Sequence, residues 1–254
     1  MKTTFSSRFL ALVLGLMVGS NGHVLAQATM DASQYPTNLA LLPGVGPTNH
    51  WSGLPAVWAQ RHAQWAKTAQ DDQGAVVFLG DSITQGWNSL AKDFPDLKVA
   101  NRGIGGDTTR GVLYRLKADV LSLMPRGIVL LIGTNDIGNG ATPKDVAKNI
   151  KEILKDIRRE DPKIPVIVCE VMPSSEKQNR PADKIEAVNA LIKKEMKGKD
   201  NVYVCDTWSI FADANGDCTP DIFHDLLHPN AVGYEKWTAA LKPILVQADL
   251  EQAQ

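Results

Sequence analysis

Along this chain, short β-branched apolar runs alternate with longer stretches in which every third or fourth position is apolar. Val76 to Leu79, Lys98 to Asn101, Ile128 to Ile132, Val166 to Val171 and Val202 to Cys205 read as five strands. Helical patterns separate most of them. Val146, Ile150, Ile153, Leu154 and Ile157 make one apolar face of a helix that Thr142-Pro143 starts. Ile185, Val188, Ile192 and Met196 make the same kind of face in the next helix. Trp237, Leu241, Ile244 and Leu245 do so in the last, where Pro243 is expected to kink or break the helix. Pro55 to Gln70 also reads as helical, with Trp58, His62 and Trp65 on one side. Strands alternating with helices predict βαβ units and a parallel sheet covered on both faces.

The pattern runs without a linker or repeat from 75 to 248, which predicts one α/β domain. Residues 27–74 form a lead-in, rich in Pro, Gly and Asn before its helix. Ahead of it, Lys2 and Arg8 precede the apolar run Phe9 to Gly19, and Val24-Leu25-Ala26 supplies a small-residue cleavage site. Residues 1–26 thus read as a secretory signal peptide cut after Ala26. The run is shorter than the roughly 20 residues of a spanning helix, and no later apolar stretch is longer. A secreted or periplasmic protein without a stable membrane anchor is expected.

Composition narrows the classes further. With 254 residues, 44% of them hydrophobic, the chain has too much apolar content for a disordered one. A net charge of −1 gives no basic footprint for nucleic acid. Three cysteines are too few for a disulfide scaffold; Cys169 and Cys205 lie in strand-like runs and Cys218 in a polar loop, and all read as free or buried thiols. No C-x-x-C or Cys/His cluster suggests a metal. Asp213-Ala-Asn215-Gly-Asp217 has its glycine in the wrong place for a calcium loop and reads as a turn. The glycine-rich stretch at Gly103 has Thr108 where a dinucleotide fingerprint needs glycine, and no G-K-[ST] follows. No cofactor and no metal are expected.

Open α/β sheets bind ligands outside the carboxyl ends of their strands. Four polar segments fall there: Gly80-Asp81-Ser82-Ile83-Thr84, Asn101-Arg102-Gly103-Ile104-Gly105-Gly106-Asp107-Thr108, Gly133-Thr134-Asn135-Asp136, and, after the fifth run, Asp225-Leu226-Leu227-His228-Pro229-Asn230. Their chemistry fits acyl transfer. A serine hydroxyl needs a base to become a nucleophile, and histidine serves near neutral pH. Asp225 and His228, three apart in a turn, could face the same way and fix the imidazole tautomer. The backbone N–H groups of Ser82 and Gly106 and the amide of Asn135 could supply three donors to an oxyanion. Each motif alone has a plainer reading as a turn or cap, so their convergence carries the weight. Asp221 and His224 form a second D-x-x-H, but only Asp225 and His228 precede Pro-Asn-Ala-Val-Gly-Tyr. Asp81, Asp107 and Asp136 read as capping or supporting groups, and His50 and His62 as residues that pack or face solvent. Arg102 and Arg110 either meet a polar substrate or face solvent. Trp51, Trp87 and Trp208 either stack on sugar or pack. The G-x-S-x-G elbow of α/β-hydrolases is absent.

These four blocks, in this order, resemble those of the SGNH, or GDSL-type, hydrolases, over about residues 75 to 240. The resemblance implies a flavodoxin-like three-layer α/β/α sandwich with a five-stranded parallel sheet in the order 2-1-3-4-5. It implies Ser82 as nucleophile, Asp225 and His228 as triad partners, and Ser82, Gly106 and Asn135 as the oxyanion hole. It places the block-two glycine at Gly106 rather than Gly103 or Gly105. GIGGDTTRGVLYRL is most similar to the branch that contains platelet-activating-factor acetylhydrolase catalytic subunits, and many secreted carbohydrate esterases are similar to it. The expectation is a secreted serine esterase that cleaves short-chain, chiefly acetyl, esters on a small molecule or polysaccharide. The rivals are a lysophospholipase or thioesterase acting on long acyl chains, and a non-catalytic binding protein on the same scaffold.

Overall fold

In the central strands both faces are apolar, as burial between two layers of helices requires. The computed structural model describes residues 33–48 and 50–251; the signal-peptide reading at 1–26 lies outside them. Five parallel strands form one sheet: β1 (Val76–Gly80), β2 (Val99–Gly103), β3 (Gly127–Leu131), β4 (Val166–Cys169) and β5 (Val202–Cys205). Their order is β2-β1-β3-β4-β5. This is the flavodoxin-like three-layer arrangement. The fourth apolar run loses its strand geometry after Cys169, where the chain turns into the loop leading to the next helix.

Eight α-helices flank or cap the sheet among the described residues: α1 (Leu54–Thr68), α2 (Ser82–Gln85), α3 (Leu90–Asp93), α4 (Thr109–Asp119), α5 (Thr134–Gly138), α6 (Pro143–Glu160), α7 (Ala182–Met196) and α8 (Ala231–Gln247). Val77, Leu79, Ile128, Leu130, Val166 and Val168 face α4, α6 and α7 in one core. The alternate residues Val76, Phe78, Val129, Leu131 and Ile167 face Trp237, Leu241 and Leu245 of α8 and the aromatic group Trp87–Phe94 in the other. The period-two alternation of each strand therefore feeds two cores at once.

Helix α8 does not break at Pro243. The proline sits near the carboxyl end, where few turns follow it, and Leu241 and Leu245 on either side are fully buried. Their packing offsets the missing N–H. Residues 42–65 pack onto the domain as well. Leu54, Trp58 and Trp65 bury against Ile104. Asn149 of α6 pairs with the Val45 backbone in both directions, each bond 2.9 Å. Arg110, expected at substrate or in solvent, is buried and donates to the carbonyls of Leu42, Pro43 and Gly46. Arg102 is buried too, on Asp72 and the Asp119 carbonyl. Packed against protein acceptors, neither arginine is available to substrate. His62 lies against Trp58 and binds Asp119 at 2.9 Å.

Candidate active site

Ser82 lies two residues past Gly80, the last residue of β1. Asp81 caps the short helix α2 by accepting the Ile83 N–H, so Ser82 becomes its first residue. Gly80 permits this tight exit: a Cβ there would lie 2.3 Å from both the Leu131 carbonyl and Thr84 Oγ1. The Ser82 N–H, at the start of the helix, is one of the donors that helical bonding leaves open.

The turn at 225–228 is built around one carboxylate. Asp225 Oδ1 accepts the Leu227 and His228 N–H groups at 3.0 and 2.8 Å, while Oδ2 accepts from His228 Nδ1 at 2.6 Å. Leu226 pays for the tight turn with a left-handed backbone, φ 62°. A carboxylate that only accepts puts the imidazole proton on Nδ1. His228 Nε2 is then the acceptor for the Ser82 hydroxyl, 2.8 Å away. Partial burial pushes Asp225 upward, but the hydrogen bonds from His228 and the turn backbone win and hold it at about 2. Asp221 and His224 of the rival pair are exposed.

The structure also separates the three candidate glycines. Gly103 gives its N–H to Asn101 Oδ1 and Gly105 gives its own to Gln85 Oε1. Gly106 adopts φ 81°, which favours glycine, and its N–H has no protein acceptor among the described residues. This turn lies over the serine, since a Cβ on Gly105 would stand 3.7 Å from Ser82 Cβ. Asn135, in α5 after β3, donates one amide hydrogen to the Asp107 carbonyl at 2.9 Å and keeps the other. Ser82, Gly106 and Asn135, each just past a strand of the sheet, thus each keep a donor with no acceptor among the described residues.

Beneath them lie three buried carboxylates. Asp136 accepts from the Thr109 N–H and hydroxyl, and Asp107 from Thr108 N–H and Arg115. Burial pushes Asp81 and Asp136 up to about 7, and Asp107 to about 6 even against Arg115. Burial therefore leaves the three carboxylates with fewer than three full negative charges at neutral pH, which lessens their repulsion of a negative charge developing nearby. Among the described residues no cluster of His, Cys, Asp and Glu could hold a metal ion. The three cysteines are free and buried.

Of the three tryptophans that could stack on sugar, Trp87 is buried in the aromatic group and Trp208 is partly buried against the α7 side. Trp51 is 59% exposed and borders the Gly105-Gly106 turn, with its ring 3.5 Å from a Cβ built on Gly106. Sequence reading passed over the loop after β4. That loop brings Ser174, Gln178 and Arg180 onto the site: Ser174 Oγ donates to the Leu226 carbonyl, Gln178 to the Asp225 carbonyl, and Arg180 to Asn135 Oδ1. The available signal was its place at the carboxyl end of a strand, beside the other four segments.

Residues 78–236 match the model of the GDSL-like Lipase/Acylhydrolase family. The platelet-activating factor acetylhydrolase IB subunit alpha2 of Homo sapiens is 34% identical over 197 residues, which is 75% of this chain and 84% of that protein. A GDSL-like lipase from Bacteroides thetaiotaomicron superposes with a TM-score of 0.65 at 25% identity, over 73% of this chain and 97% of its own. A solved acetyl xylan esterase shares the fold at a TM-score of 0.56 and 22% identity, over 67% of this chain and 98% of its own. With more than half its length matched by the family model, and with a relative above 30% identity, the chain belongs to the GDSL-like lipase/acylhydrolase family and is a carboxylic ester hydrolase.

Proposed function

We propose that this protein is an exported esterase that removes short acyl groups, chiefly acetyl, from carbohydrate, with Ser82 as nucleophile, His228 as base and Asp225 as its partner. The hydrogen-bond chain from Asp225 through His228 to Ser82, at 2.6 and 2.8 Å, carries the reading. His228 Nε2 takes the hydroxyl proton as Ser82 Oγ attacks the ester carbonyl. The negative oxygen meets the Ser82 and Gly106 N–H groups and the free Asn135 amide hydrogen. His228 then protonates the departing alcohol, leaving an acyl-serine. A water, deprotonated by His228, attacks that ester, and the carboxylic acid leaves as Ser82 recovers its proton.

The acetyl preference is supported by the acetylhydrolase name of the 34% identical relative. The carbohydrate side is supported by Trp51, whose exposed indole beside the oxyanion turn is the kind of surface on which a pyranose stacks. Export is supported by the amino-terminal sequence pattern and is tested by locating the cleaved chain outside the cytoplasm and sequencing its terminus.

The deciding assay is a p-nitrophenyl ester series from acetate to palmitate with Ser82→Ala as control, followed by acetylated xylo-oligosaccharides. We expect rates to peak at acetate and to fall by on the order of a million-fold in Ser82→Ala. Trp51→Ala should raise KM for the acetylated oligosaccharide and leave hydrolysis of methyl acetate unchanged. A peak at long chains would replace the substrate reading with lipid or thioester hydrolysis. Full turnover by Ser82→Ala would overturn the mechanism.

A further inference from the structure

The side chain of Asn135 is useful in one orientation only. With Nδ2 toward the oxyanion it donates; turned end for end, it would offer an acceptor oxygen to a negative charge. Sequence does not settle which end faces the hole, but its neighbours do. The Asp107 carbonyl accepts from Nδ2 at 2.9 Å. On the other side Arg180 Nη2 donates to Oδ1 at 2.9 Å. A guanidinium has donors only, so a reversed amide would set N–H against N–H on one side and oxygen against oxygen on the other.

We propose that Arg180 is a positioning residue that locks the Asn135 amide with its NH2 facing the oxyanion. This rests on the oxyanion role proposed for Asn135. Arg180 is itself held on several sides. Its Nε donates to the Thr134 carbonyl and hydroxyl at 3.0 and 3.1 Å, and Nη1 donates to the Gln178 carbonyl at 2.5 Å. The guanidinium lies on Gly138 at the end of α5, where a Cβ would stand 2.8 Å from Cζ. The absent side chain at Gly138 is the seat for this arginine. A lysine could not reproduce the role, because a single ammonium cannot span the Thr134 backbone and the Asn135 amide in one fixed plane. Arg180 does not touch the reacting atoms; it acts through Asn135.

A double-mutant cycle on p-nitrophenyl acetate tests this. Asn135→Ala should lower kcat by on the order of 100- to 1000-fold, as loss of an oxyanion donor does. Arg180→Ala should lower kcat by about 10- to 100-fold, a part of that loss, with KM changed less than about twofold. In the double variant, Arg180→Ala should add no more than about twofold to the effect of Asn135→Ala, because both act through one amide. Arg180→Lys should stay impaired. Added guanidinium should restore part of the kcat of Arg180→Ala and none of that of Asn135→Ala. Multiplicative losses, or an unchanged kcat in Arg180→Ala, overturn the proposal. If Arg180→Ala does not fold, Gly138→Ala provides the same cycle by pushing the guanidinium off its seat; wild-type kcat in that variant also overturns it. Wild-type kcat in Asn135→Ala overturns both this inference and the oxyanion role beneath it, whereas an impaired Asn135→Ala with a normal Arg180→Ala overturns this inference alone.

Discussion

His228 is held from one side by a carboxylate that stays ionised down to about 2, so Asp225 does not itself titrate at the pH values where the enzyme works. Asp225→Asn keeps the shape of the turn but lets an amide donate to Nδ1, moving the imidazole proton to Nε2. A loss of about 10,000-fold in kcat is expected. His228→Ala should be as damaging as Ser82→Ala, while the exposed His224→Ala should keep most activity; the reverse pattern would assign the role to the other D-x-x-H pair. Asp81 supports a prediction about stability. Burial raises it to about 7, above the roughly 3.9 of an unfolded chain. The folded state then binds the extra proton, so Asp81 contributes most below about pH 4 and its contribution is lost as pH rises through about 7. Asp81→Asn keeps the cap on Ile83 and removes this titration. Its melting temperature should gain on the wild type as pH rises from about 4 to 8, and parallel curves for the two proteins would count against it. Asp107, Asp136 and Arg180 act on the same carboxyl group but are common to both proteins.

Helix α6 shows local sequence and tertiary packing agreeing. Thr142 accepts the Asp145 N–H and Asp145 accepts the Thr142 N–H, a capping box with Pro143 in the first turn. Its buried face carries Val146, Ile150, Ile153, Leu154 and Ile157. Thr142 lies on the exposed rim of this element, so Thr142→Ala should cost about 1 kcal/mol in urea unfolding and leave kcat/KM unchanged. A loss well below that figure would mean that packing alone sets the helix start. Helix α8 shows the two disagreeing. Pro243 argues against continuity, and the buried Leu241 and Leu245 around it prevail. The loop after β4 shows a third case. It has no periodicity to read, yet it anchors Asp225, Leu226 and Asn135 through three side chains.

Across the whole molecule, Arg115 ties the sheet to the site. It is fully buried, pairs with Asp107 at 2.8 Å, and donates to the carbonyls of Gly80 and Arg102 at the ends of β1 and β2. The same Asp107 offers its carbonyl to Asn135. Arg115→Met would take the charged donor from a buried carboxylate, which keeps only the Thr108 N–H, and one donor from each of two strand-end carbonyls, of which Gly80 keeps the Ile104 N–H. We expect a loss of about 3–5 kcal/mol in chemical denaturation, and a change below about 1 kcal/mol would show that the aspartate simply protonates at little cost. The segment around 42–65 belongs to the same structural unit. Arg110, Asn149 and the buried Leu54 and Trp58 hold it, and it delivers Trp51 to the edge of the oxyanion turn.

The sequence alone determined the parts that depend on spacing. Period-two and period-3.6 patterns specify a parallel sheet between helices, because alternation of side chains is a property of the local backbone. Four polar blocks just past strand ends point to Ser82, Asn135, Asp225 and His228, because such a sheet collects its strand ends at one edge. Tertiary structure decided what depends on neighbours distant in sequence. Which glycine keeps a free N–H follows from Gln85 and Asn101 taking the other two. Whether an arginine meets substrate or protein follows from carbonyls more than sixty residues away, as for Arg110 on Leu42, Pro43 and Gly46. Which end of Asn135 faces the oxyanion follows from Arg180, forty-five positions along the chain. A hydrogen-bond donor carries no mark of its acceptor until folding brings the two together.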